Sequence, residues 1–146
     1  MKIFYLLVGL LFSIPVFATP PGDTLLHKEL ELYSKGDYQG AITALNNRAK
    51  ESVAKNDKKT LAVIYRNIGN CYSNIGKTVE ALQAYENSIT AGEEAGDIKG
   101  VGHTIKNIGS LYSDNKDFEK ALKKFSEAET ISRKVNDTFN LADCAN

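Results

Sequence analysis

Internal repetition constrains this chain most. Asn67-Ile68-Gly69-Asn70-Cys71-Tyr72-Ser73 returns at an offset of 40 as Asn107-Ile108-Gly109-Ser110-Leu111-Tyr112-Ser113. Laid over 99–138 without a gap, residues 59–98 share 10 identities in 40, where average composition gives about two or three. Ala81-Leu82 returns as Ala121-Leu122 and is preceded by Ala41-Ile42. Tyr85 answers to Phe125 and Leu45, and Asp57, Asp97 and Asp137 close three units at one phase. A unit this small cannot bury its own apolar face, so such a chain stacks copies of it into a solenoid.

Each unit reads as two helices. In the second unit Leu61, Ile64, Tyr65, Ile68, Tyr72 and Ile75 recur at helical spacing, as do Val101, Ile105, Ile108 and Tyr112 in the third. Turn sequences follow, Ser34-Lys35-Gly36-Asp37, Asn74-Ile75-Gly76-Lys77 and Asp114-Asn115-Lys116-Asp117. The second helices then carry Tyr38, Ala41, Ile42 and Leu45, Val79, Leu82, Tyr85 and Ile89, and Phe118, Ala121, Leu122, Phe125, Ala128 and Ile131. No segment alternates with the period of a strand. The three prolines, Pro15, Pro20 and Pro21, all precede the repeats, so nothing rigid interrupts the helices that follow. The Asp closing each unit is placed to cap the next helix. Gly69 and Gly109 cost helix stability, which predicts that another backbone comes close there, with Tyr72 and Tyr112 beside it.

The pattern Asn-Ile-Gly-x-x-Tyr, with Ala twelve positions after the Gly and an aromatic four later, resembles the tetratricopeptide repeat. Gly69, Tyr72, Ala81, Tyr85 and Ser88 match it in the second unit, and Gly109, Tyr112, Ala121, Phe125 and Ala128 in the third. The first unit is degenerate. Gly36, Tyr38, Ala41 and Leu45 fit, but Glu29 stands in the Gly position and Leu32 in the Tyr position. The resemblance covers residues 24–146 and implies an all-α, right-handed superhelical solenoid of antiparallel helix hairpins. The units are 19–58, 59–98 and 99–138, with the start of a fourth at 139–146. The common repeat has about 34 residues, so a period of 40 predicts helices about a turn longer. The phrase Gly96-Asp97-Ile98-Lys99-Gly100 is similar to a long-helix subtype. That subtype occurs in scaffold proteins, in peptide-sensing regulators and in the exported sensor regions of bacterial histidine kinases.

The resemblance also implies a non-enzymatic module whose first helices line a concave groove for a protein or peptide. The candidate groove residues are Val63, Arg66, Asn70, Ser73 and Asn74 from the second unit. From the third they are His103, Lys106, Asn107, Ser110, Ser113 and Asp114. Arg66, Asn70 and Asn107 fall where some relatives clamp a C-terminal carboxylate through charge-assisted hydrogen bonds. Asp143 stands where that clamp wants a base.

Met1-Lys2, the apolar run Ile3 to Ile14, Pro15 and then Val16-Phe17-Ala18 read as a signal peptide cleaved after Ala18. The mature domain is then 19–146, exported to a periplasmic or extracellular space, or anchored by its N-terminus if uncleaved. The run is short for a membrane span. The formal charge is zero, from 18 basic and 18 acidic residues, and losing Lys2 leaves −1. Without a basic excess, nucleic acid is excluded as the expected partner. Cys71 reads as a packed thiol and Cys144 as a free one, and their wide separation carries no disulfide signal. His27 and His103 form no metal-spaced cluster with them. No phosphate loop, nucleophile set or paired-carboxylate motif appears, so no cofactor, metal or catalytic residue is assigned.

Asp137 is expected to cap a fresh helix beginning a fourth unit, with Leu141 docking on the third. No polar cap is visible there, which favours a chain continuing into a longer signalling protein. The alternative is a structural protein that self-associates through its C-terminal solenoid face.

Overall fold

The computed structural model describes residues 27–143, with side chains through residue 136. Six helices follow one another: α1 His27–Ser34, α2 Tyr38–Ala54, α3 Lys58–Asn74, α4 Thr78–Glu94, α5 Ile98–Asp114 and α6 Phe118–Asp143. No strand occurs among the described residues. Helices α2 to α5 each have 17 residues, and each packs mainly on its sequence neighbours. Beyond those, α3 also touches α5. The result is an all-α helical repeat solenoid with first helices α1, α3 and α5 and second helices α2, α4 and α6.

The joints are more regular than the sequence suggests. Residues 36, 56, 76, 96 and 116 all take the left-handed conformation: Gly36, Gly76 and Gly96 at φ of 67 to 79°, Asn56 at 51° and Lys116 at 63°. The next residue in each case, 37, 57, 77, 97 or 117, donates its N–H to the carbonyl five positions back at 2.9–3.0 Å. This closes the preceding helix. The same residue opens the following helix. The Asp37, Asp57, Asp97 and Asp117 carboxylates accept from backbone N–H groups of Gly40, Thr60, Gly100 and Lys120. The caps at Asp57 and Asp97 are those the sequence placed. Asp37 and Asp117 extend them to the half-period, so one joint recurs twice in every repeat. Lys77 occupies this place without a side-chain cap.

The core runs as three adjoining clusters along the stack. The largest joins Ala41, Ile42, Leu45, Leu61, Ile64, Ile68 and Cys71. Ala81, Tyr85, Ile108 and Leu111 form the second, and Val101, Ile105 and Ala128 the third. Gly69 lies against the Tyr85 ring, which is 2% exposed, and Gly109 against the Phe125 ring. The close approach expected at these glycines is therefore made by an aromatic side chain of the second helix, not by backbone. Unit one solves the same problem otherwise. Leu45 stands in the place of the ring, and Glu29, 6% exposed, in the Gly position. Arg48, at the position of Ser88 and Ala128, holds it with Nε to Oε1 at 3.1 Å.

The expected break at Asp137 does not occur. α6 is one helix of 26 residues through Asp143, so Asp137 is interior to a helix rather than its cap, and no new helix starts at 139. The Phe118–Asp143 backbone keeps its i-to-i−4 bonding where the earlier units turn. The proposed cleavage site at Ala18, Cys144, and the docking of Leu141 lie outside the residues or side chains described.

Candidate functional site

The first helices present three amides and two hydroxyls in a shallow concave depression of about 250 Å3. It is lined by Asn70, Ser73 and Asn74 of α3 and by Asn107 and Ser110 of α5, with Tyr33 of α1 and Tyr85 of α4. Their spacing follows from the helix. Residues three, four and seven apart share a face, and the opposite face is held by Ile64, Ile68 and Cys71 in the core.

A hydrogen-bonded seam fixes these groups. Asn74 Nδ2 donates to Tyr33 Oη at 2.9 Å and to the Asn70 carbonyl at 2.8 Å. Asn70 Oδ1 accepts from Tyr85 Oη at 2.8 Å and from Asn107 Nδ2 at 2.9 Å. Four helices are thereby tied through side chains whose amide orientations are set by their partners. Asn70 Nδ2 and Asn107 Oδ1 remain without a hydrogen-bond partner among the described residues, facing a depression in which Ser73 and Ser110 also stand. A donor, an acceptor and two hydroxyls at this spacing suit the amide groups of an extended chain.

A second feature adjoins it. Arg66 of α3 is half-buried, and burial lowers its pKa while Asp97 opposes that effect. The His103 pKa is lowered by burial first, and the charges of Arg66 and Lys99 push the same way. Both effects favour the neutral imidazole. His103 and Lys106 line a different cavity, between α5 and α6. The sequence-derived groove thus divides in two. Asn70, Ser73, Asn74, Asn107 and Ser110 come together, whereas Arg66, His103 and Lys106 form a separate group, two cations with an imidazole disfavoured as a third. Val63 instead packs against the largest core cluster. Ser113 and Asp114 enter neither cavity. Tyr33 and Tyr85 were not among the sequence candidates. Tyr85 fell on the apolar phase of its helix, which hides the fact that its hydroxyl emerges on the far side of the core.

Beneath the seam, Glu29, Tyr33, Leu45, Asn67 and Asn70 line a second space, also of about 250 Å3. Glu29 Oε2 has no hydrogen-bond partner there among the described residues. No group of three metal-ligating side chains occurs among the described residues, and no described helix is long and apolar enough to cross a membrane.

A family model described as Tetratricopeptide repeat matches residues 60–134, from the first turn of α3 to the middle of α6. The chain belongs to the tetratricopeptide-repeat family. No curated protein matches it at a significant level. Tetratricopeptide repeats are in general protein–protein interaction modules, typically without catalytic activity of their own. In this tetratricopeptide-repeat chain the concave side of the first helices carries the polar seam, and the second helices carry ion pairs such as Lys124–Glu127 and Arg133–Glu129 on solvated surface.

Proposed function

We propose that the chain is an exported tetratricopeptide-repeat module that binds an extended segment of a partner protein on its concave face, as the sensor part of a signalling protein. The polar seam carries this reading. Asn70 and Asn107 are held in one orientation by Tyr85 and by each other, so the ordering cost falls before the ligand arrives. The half-buried Arg66 on the same helix face favours a segment with an acidic residue at one end. Export rests on the N-terminal sequence pattern alone, and the mass of secreted protein beginning at Thr19 would support it.

The binding reading is tested by placing a photo-cross-linker at Ser73 or Ser110 and, as control, at Glu86 on the exposed side of α4. Cross-links should form from the two concave positions and fall strongly with Asn70→Ala. Equal yields from Glu86, or yields indifferent to Asn70→Ala, would overturn it.

A further inference from the structure

The repeat leaves one of its seats open, on the α5–α6 side of the described stack. Between α5 and α6 lies a cavity of about 520 Å3 whose lining includes Phe125, Ala128, Ile131 and Ser132 of α6 and Gly102 and Lys106 of α5. One repeat earlier, these positions are Tyr85, Ser88, Ala91, Gly92, Ala62 and Arg66. That earlier set is a filled seat, and the helix that fills it is α5. Val101 lies against Gly92, the Thr104 and Ser88 hydroxyls bond at 3.0 Å, and Ile108 and Leu111 pack on Tyr85. The acidic N-cap of α5, Asp97, acts on Arg66. Exposure measures the difference between the two seats: 2% for Tyr85 against 36% for Phe125.

We propose that this open face seats an amphipathic helix of a partner protein. Its acidic N-cap would lie opposite Lys106, and its apolar side chains at the seventh, eighth and eleventh positions after that cap would be buried. The register is that of the two helices already seated in this fold: Ile64, Tyr65 and Ile68 after Asp57, and Thr104, Ile105 and Ile108 after Asp97. Charge complementarity sets the polarity, because Lys99 and Lys106 line the rim where the cap arrives, while Glu129, which also lines the cavity, is paired with Arg133. Two substitutions between the seats tune the occupant. Ala128 replaces Ser88, so the seventh residue needs no hydroxyl. Ser132 has a Cβ where Gly92 has none, and a Cβ added at Gly92 would stand 2.9 Å from Val101. The fourth residue must therefore be smaller than Val. The chain does not fill the seat itself within the described residues, because α6 continues as one helix to Asp143 and makes no return turn. This surface is separate from the concave seam, so either reading can fail without the other.

The probe is a synthetic peptide with the sequence of residues 97–115 carrying Ala in place of Val101, titrated into the full chain by calorimetry. One peptide should bind per chain. Affinity should drop about tenfold or more with Ser132→Arg, which puts a bulky side chain where Gly92 admits Val101 in the filled seat, and with Lys106→Glu, which reverses the charge opposite the cap. The peptide retaining Val should bind more weakly, and Asn74→Ala should leave affinity unchanged. Circular dichroism of each variant verifies folding. No binding at millimolar peptide, binding indifferent to Ser132→Arg, or binding lost with Asn74→Ala would overturn the proposal. So would a dimer of the chain, seen by light scattering, that Ser132→Arg dissociates, since the occupant would then be a second copy.

Discussion

Gly69 shows how one missing methyl group sets the spacing of two helices. An added Cβ would overlap the Tyr85 ring, which is fixed by core packing and by its bond to Asn70. Gly69→Ala gains about 1 kcal/mol of helix propensity and loses about 1–3 kcal/mol to overpacking. We expect a net loss of about 1 kcal/mol in urea denaturation. Adding Tyr85→Leu should recover part of it, since unit one already pairs a side chain at this position with Leu45. Cys71 offers a second test. Its thiol is fully buried, and burial pushes its pKa up to about 11, so it is protonated and shielded at pH 8. In a Cys144→Ser chain, a disulfide reagent should find no reactive thiol in the native state and one equivalent in denaturant. The thiol's burial was legible from its place in the apolar period. The role of Tyr85 was not, because periodicity reports the side of a helix that is buried, and the Tyr85 ring spans the core to deliver its hydroxyl to Asn70. Unit one was legible only as a departure, since the compensation of Glu29 by Arg48 joins two different helices and leaves no local pattern.

Each joint is a single device that closes one helix and opens the next. The sequence showed its phase through Asp57 and Asp97 but not its half-period, because the residues in the left-handed position are Gly, Asn and Lys, and identity conceals a shared conformation. Lys77 is the weak joint. It supplies no cap, and its ammonium sits 3.9 Å from Glu80 with both side chains about half exposed, a pair worth little. Lys77→Asp should add about 1 kcal/mol and raise the melting temperature by about 4 °C, read by circular dichroism. An unchanged or lower midpoint would show that the α4 terminus is satisfied by water. The failed expectation at Asp137 belongs at this scale too. Asn136-Asp137 repeats the chemistry of Asn56-Asp57, yet α6 runs through it. Local turn chemistry permits a joint, but a packed neighbour is also needed to reward the bend, and within the described residues none is seated there.

Across the whole molecule, contacts are confined almost entirely to neighbouring helices, so stability is a sum of local interfaces and not the property of one core. Native-state hydrogen exchange should therefore be graded, slowest in α3, α4 and α5, which have full-length helices packed on both sides, and fastest in α1 and beyond the middle of α6. Uniform protection along the chain would contradict a one-dimensional array. The half-period joint adds a rule about inheritance. An insertion or loss of a single helix with its joint would preserve every turn yet exchange inner and outer helices downstream, delivering convex sequences to the concave wall. A change of one whole repeat leaves the sidedness intact. Length in this architecture can drift only in pairs of helices, and the concave wall is lengthened or shortened without being rewritten.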